Sequence, residues 1–164
     1  MHWSISDLVH HIVDVHHAYV REKTPIIQQY LSRIAKVHGR KYPFLHDVQQ
    51  LFATSAADMA SHMVFEEKSV FPLCIEMEVV GVSANAHFQQ LLDILKADHS
   101  KEGARFARIA ALTVNYQAPA DACATFRAAY AALEDYHKQL IQHVHLENNV
   151  LMEKLMALTP SEGQ

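Results

Sequence analysis

The sequence predicts an all-α chain, with four long helices packed as an up-down-up-down antiparallel bundle. Three observations point there. Gly and Pro are scarce, four and five in 164 residues, while Ala, Leu and Glu are plentiful, a balance that favours long helices over a turn-rich β-fold. Apolar residues recur at helical rather than alternating spacing. The breaks between the periodic stretches are short, as they are between antiparallel neighbours in bundles. Half of the residues are hydrophobic, which is enough to bury a core in a single domain over residues 1–164.

The first stretch runs from about Ser4 to His38. It opens on the cap-like "SISD" and carries Ile5, Leu8, Val9, Ile12 and Val13 at helical spacing. Pro25 lies inside it and is expected to bend it or begin a new turn. "GRKYP" breaks the pattern. The second stretch, from about Phe44 to Leu73, has Leu45, Val48, Leu51, Phe52, Met59, Met63 and Val70 as its apolar stripe. "VVGVSAN" is the next break. The third, from about Ala84 to Tyr116, buries Phe88, Leu91, Leu92, Leu95, Phe106 and Leu112. "QAPAD" closes it, and Asp121 is the candidate cap of a fourth helix from about Ala122 to Leu158. The tail from about residue 159, "TPSEGQ", is expected to fray.

Composition excludes several function classes. The net charge is -4 with histidines neutral, and no long basic run occurs, so nucleic acid is not an expected partner. No stretch of 18 apolar residues exists to span a membrane. The N-terminus lacks the basic start and apolar run of a secretory signal. Two cysteines, Cys74 and Cys123, without a CxxC motif give no disulfide framework and place the chain in a reducing cytoplasm. There is no Gly-rich phosphate loop, Ser nucleophile elbow or Walker lysine. The unusual feature is 13 histidines spread through the chain.

"HMVFEEK" and "HVHLENN" each place a His four residues before a Glu, His62 with Glu66 and His143 with Glu147. Residues i and i+4 share a helix face, so each pair can aim at one point, and imidazole with carboxylate suits iron, manganese or zinc. About 0.8 such pairs are expected by chance at this composition. Height along the bundle is the stronger criterion. Measured from the same end, His17, His62, His99 and His143 lie roughly 17 to 23 Å along their helices at 1.5 Å per residue. Four helices thus deliver a His to one layer, and two add a Glu one turn away. Four imidazoles and two carboxylates suit two metals, with both carboxylates bridging and coordination positions left open for a small ligand.

The neighbouring candidates read differently. Glu67 points about 100° from Glu66 and is expected on the solvated surface. His16 and His145 face away from the ligand direction, as surface residues or ligand supports. His10 is two turns before His17, in core packing or at an entrance. Asp58, one turn before His62, is placed to orient a ligand or steer iron, and Asp98 is a weaker candidate for that task. Glu102 is a possible surplus ligand. His38 lies about 31 Å beyond His17 on one helix and Cys123 about 30 Å from His143, so neither reaches the layer. Cys74 reads as a buried small hydrophobe.

"HHAYVRE", "HMVFEEKSVFP", "ADHSKEG", "APADACATF" and "HVHLENNVL", in this order and over nearly the whole chain, resemble the hemerythrin-like domain of the repair-of-iron-centres proteins. The resemblance implies a four-helix bundle around two non-haem iron ions, an oxo- or hydroxo-bridged di-iron centre. Its ligand positions match His17, His62, Glu66, His99, His143 and Glu147. Family members are associated with protection from nitrosative and oxidative stress and with restoring damaged iron–sulfur clusters, and some bind nitric oxide. The expected partners are therefore nitric oxide or dioxygen and damaged iron–sulfur proteins. Two functions stay open: a repair or nitric oxide defence protein, or a non-catalytic carrier or sensor of dioxygen or nitric oxide. Zinc is the chemical alternative to iron. Longer members carry a small N-terminal domain with a cysteine pair, whereas this chain starts at the first helix. "LMEKL" stands where "LFPRA"-like endings are common.

Overall fold

In the computed structural model, residues 3–81 and 85–158 are described; the expected fraying from about residue 159 and part of the "VVGVSAN" break lie outside them. The described residues are helical, with no strand among them. Four long helices cover residues 5–38, 44–80, 86–112 and 124–158. Three of the four are interrupted by a π-helical turn, at Ile12–His17, Glu66–Val70 and Leu146–Leu151. Among the described residues no helix is long and apolar enough to cross a membrane.

Local chemistry sets the ends. Ser4 caps the first helix through a reciprocal pair: Ser4 Oγ accepts from the Asp7 amide, and the Ser4 amide donates to Asp7, both at 3.0 Å. Pro25 neither ends nor restarts this helix, which runs unbroken over Ala18–His38. Pro25 is exposed, so the carbonyl that loses its partner can turn to water. Gly39 closes the helix where a Cβ would lie 2.2 Å from the Ala35 carbonyl oxygen.

The second helix continues to Val80, seven residues beyond the expected Leu73. Pro72 falls at the first positions of its final segment, directly after the π turn, where a missing amide hydrogen is least costly. Gly81, at φ +67°, provides the left-handed stop. The third helix starts on Asn85, whose side chain accepts from the Phe88 amide at 2.9 Å. It ends at Leu112 rather than Tyr116, because Val114, Asn115 and Tyr116 all take positive φ and turn the chain away. The fourth helix is capped at Cys123, not Asp121. Asp121 instead accepts from the Tyr42 hydroxyl at 2.7 Å and pairs with Lys41, tying the start of the fourth helix to the first turn.

The buried apolar residues form two clusters. The larger takes in Val20 to Ala35, Leu45 to Met63, Phe106, Ile109 and Ala122 to Leu140. The smaller takes in Ile5 to Ile12, Val70 to Met77, Phe88 to Leu95, Leu151 and Leu155. On every helix the stretch between the two clusters carries one or two of the predicted residues: His17, Glu66, His99, or the His143–Glu147 pair. A polar layer therefore lies between two apolar cores. Cys74, fully buried in the smaller cluster, has its thiol pushed up to about 12 by burial.

Candidate metal centre

All six predicted residues converge. Their donor atoms fall into two sets, His17–Glu66–His143–Glu147 and His62–Glu66–His99–Glu147, each with its atoms within 4.8 Å of one another. Glu66 and Glu147 belong to both sets. His17, Glu66, His143 and Glu147 are at most 1 % exposed, and His62 is 5 % exposed.

Each π turn falls on this layer: His17 ends the first, Glu66 begins the second and Glu147 lies in the third. A π turn takes up an extra residue and rotates the face of everything beyond it, and such turns concentrate at functional sites. One consequence concerns His10. Seven residues before His17 in a plain α-helix it would share that face, but with the π turn between them it is exposed. Its Nδ1 donates to the Ser6 carbonyl at 2.7 Å, so it is not part of the core.

Several of the inward atoms lack an aligned partner, as they would if an ion completed the site. Both oxygens of the fully buried Glu66, His17 Nε2 and Glu147 Oε2 have no hydrogen-bond partner among the described residues. Yet His17 Nε2 and His62 Nε2 each stand 3.2 Å from a Glu66 oxygen, and His99 Nε2 stands 3.0 Å from Glu147 Oε2. Two donors each about 2.1 Å from a shared ion and at right angles lie about 3 Å apart. A buried carboxylate with no aligned donor costs several kcal/mol in order of magnitude unless charge of opposite sign meets it. The nitrogen and oxygen donor set, its spacing and its orphaned atoms all fit a divalent transition metal.

Without metal, protons take that role. Burial works against charge on His62, but the Glu66 carboxylate, with Glu147 and Asp98, outweighs it and lifts the imidazole to about 9. Burial likewise opposes charge on Glu147, yet His143 and His99 hold it well below the usual carboxylate range. His143, whose Nε2 lies 2.6 Å from Glu147, is raised by the same attraction against burial.

The backs of the candidate ligand rings have partners that sequence reasoning missed. Glu67 is half-buried rather than freely solvated: its Oε1 accepts from His17 Nδ1 at 2.6 Å and from Arg21 at 2.6 Å. It does point away from the layer, as an adjacent residue must, but what lies there is the far side of His17 on the first helix. Asn148 Oδ1 stands 3.3 Å from His99 Nδ1. Its place in "HLENN", beside the candidate ligand Glu147, was the available signal. Partners of this kind fix ring orientation and tautomer. Glu67→Ala is therefore expected to keep the helical content and lower metal affinity about 10–100-fold, read by competition with a chromophoric chelator.

The remaining candidates are placed as follows. Asp98 Oδ2 is 3.6 Å from His62 Nδ1, too far for a hydrogen bond, and acts on it by charge. Asp58 pairs with Arg105 at 2.6 Å rather than orienting His62. Glu102 belongs to neither donor set; Ser55 and Arg105 bind it, and burial raises its carboxyl. His16 is not at the surface: it is 6 % exposed, packs against His143, and is pushed down to about 4, chiefly by burial. His145 is exposed. His38 Nε2 lies 3.2 Å from Cys123 Sγ, at the end of the first helix, in neither donor set.

A cavity of about 290 Å³ between the second, third and fourth helices reaches His62, His99 and His143. Its walls include Met59, Phe65, Ile94 and Leu140, with Asp58 and Asp98 also lining it. It lies just below the usual 300–1,000 Å³ of organic-ligand pockets and is ample for a diatomic.

The chain is similar to known proteins over most of its length. The chain is 33% identical over 147 residues to the iron-sulfur cluster repair protein ScdA of Staphylococcus haemolyticus, covering 90% of this chain and 65% of that protein. It is 29% identical over 152 residues to the iron-sulfur cluster repair protein YtfE of Musicola paradisiaca, covering 93% and 66%. It is 25% identical over 153 residues to the probable iron-sulfur cluster repair protein of Haemophilus influenzae, covering 93% and 66%. The chain thus spans about two thirds of the length of these relatives. The family described as "Hemerythrin HHE cation binding domain" matches residues 8–155, a span that holds all six converging residues, and the chain belongs to that family.

Proposed function

We propose that this chain is a cytoplasmic non-haem di-iron protein that serves the repair of iron–sulfur centres damaged by nitrosative or oxidative stress, and that nitric oxide or dioxygen binds at its metal centre. The observation that carries the reading is the pair of four-donor sets sharing Glu66 and Glu147. Two shared carboxylates call for two ions. His17 and His143 would hold one, His62 and His99 the other, and both carboxylates would serve the pair. The bundle is up-down-up-down. In support, the order of the two apolar clusters reverses from each helix to the next: smaller then larger on the first, larger then smaller on the second, and so on.

A bound iron pair supplies redox chemistry and open coordination positions for a diatomic ligand. The protein's part is to hold and shield. Glu67 and Asn148 fix His17 and His99 from behind, the two apolar clusters keep bulk water from the layer, and the cavity beside His62 and His99 admits a small molecule. The names of the relatives support the repair role, as proteins this chain resembles across most of its length.

The test loads the chain with ferrous iron without oxygen, confirms two ions per chain, and adds nitric oxide. Nitrous oxide over several turnovers is the result expected of an enzyme. A stable adduct without nitrous oxide identifies a carrier or sensor. Reactivation of a nitrosylated iron–sulfur protein by the loaded chain tests repair directly, and no reactivation beyond that by free ferrous iron would count against it.

A further inference from the structure

Four of the 13 histidines belong to the metal layer. Three others, His11, His16 and His145, gather in one groove of about 370 Å³ between the first and fourth helices, together with Ile141, Gln142 and Leu146. This groove lies on a different flank of the fourth helix from the cavity that reaches His62 and His99. It leads inward through a ladder of imidazoles. His11 stands 5.6 Å from His16 between ring centroids, His16 stands 5.8 Å from His143, and His143 stands 5.1 Å from His17. His16 is more than nine-tenths buried, and its Nδ1 has no hydrogen-bond partner among the described residues. A buried ring nitrogen without a partner calls for an explanation. The three groove rings do not form a closed donor set; among the described residues only the two sets in the layer do.

The need for such a site follows from burial. The His17–Glu66–His143–Glu147 set is at most 1 % exposed. A hydrated divalent ion reaching it must shed its water inside the protein, and moving charge into a low-dielectric interior is costly unless ligands replace the water as it leaves. Neutral imidazoles are suited to that exchange for first-row transition metals. We propose that the groove lined by His11, His16 and His145 captures a divalent transition-metal ion and passes it to the enclosed His17–Glu66–His143–Glu147 position. This rests on the metal-centre reading above and adds to it a separate loading route for one of the two positions.

The experiment strips the full chain with a chelator, adds Co²⁺, and follows absorbance by stopped flow, with metal analysis at equilibrium. Two variants are compared with the unaltered chain. One is His11→Gln with His145→Gln. The other is His16→Phe, which keeps a ring against His143. Circular dichroism checks that both are folded. The expected result is two ions per chain at equilibrium throughout, with one ion entering about tenfold or more slowly in the variants, the size of effect seen when a ligand's supporting shell is removed, and the other at the original rate. Unchanged entry of both ions, or equal slowing of both, overturns the loading route while leaving the metal centre standing. An unaltered chain that takes up no Co²⁺ overturns the metal-centre reading and this inference together.

Discussion

Glu66→Ala is expected to empty both metal positions, whereas His17→Ala or His99→Ala removes a donor from one set only. The asymmetry follows from sharing. Glu66 contributes to both four-donor sets, while each histidine contributes to one. Supporting groups behind a ligand are worth about 10–100-fold in metal affinity, and a bridging donor should cost more than that at each position. Metal analysis after dialysis of protein loaded with ferrous iron should find iron near zero for Glu66→Ala and reduced for the single histidine variants, His62→Ala and His143→Ala included. His38→Ala serves as the control, since His38 sits against Cys123 and Phe126 at the end of its helix, and it should keep its iron. If His38→Ala lost as much iron as Glu66→Ala, the assignment of the six ligands would fall. Uptake should also release protons, because without metal the Glu66 and Glu147 carboxylates hold His62 up to about 9. Affinity should therefore rise with pH through neutrality and level off above about 9, where no proton remains to be displaced.

The six converging residues were legible because two regularities survive without coordinates. A helix advances by a fixed rise, which put His17, His62, His99 and His143 at one height, and i, i+4 spacing put Glu66 and Glu147 beside two of them. What was not legible came from departures from those regularities. The π turns at Ile12–His17, Glu66–Val70 and Leu146–Leu151 leave no trace in an apolar stripe, because one extra residue in a turn is smaller than the width of the stripe itself. They explain why His10 left the face of His17. Glu67 was misjudged for another reason, and of the two alternatives for His16, surface or ligand support, only the burial against His143 decides for the second. The directions of both residues were right, but the surroundings in those directions were set by the neighbouring helices, where His17 waits for Glu67 and His143 for His16. Asp121 has the chemistry of a cap and a sequence position close to one, yet Tyr42 and Lys41 from the first turn compete for it and win.

Removing the metal is expected to loosen one end of the bundle before the other. A ligand held at about a thousandfold over its Kd stabilises the folded state by about 4.1 kcal/mol, and for a chain of this size each kcal/mol moves Tm by about 2–4 °C. Chelation from such a loaded state should thus lower Tm by roughly 8–16 °C. The loss need not spread evenly, because the polar layer of candidate ligands lies between two unequal cores. The larger holds the fully buried Phe52, Phe106, Phe126, Tyr130 and Tyr136, each a large apolar surface worth several kcal/mol in order of magnitude. The smaller relies on shorter segments, Ile5–His11, Phe71–Val80 and Met152–Leu158, each reached through a π turn from the layer. When Glu66 and Glu147 lose their cation, those segments lose the ligands that tie them to the rest of the bundle. Amides over residues 5–11, 71–80 and 152–158 should exchange first, while those around Phe52, Phe106 and Tyr136 stay protected. Cys74 gives a second reading of the same event. Its thiol is fully buried in the smaller core, so it should resist a thiol reagent in the loaded protein and react after chelation, whereas the exposed Cys123 reacts in both. Uniform loss of protection over both cores, with Cys74 still silent, would mean that the polar layer does not divide the bundle and that the metal stabilises it as one unit.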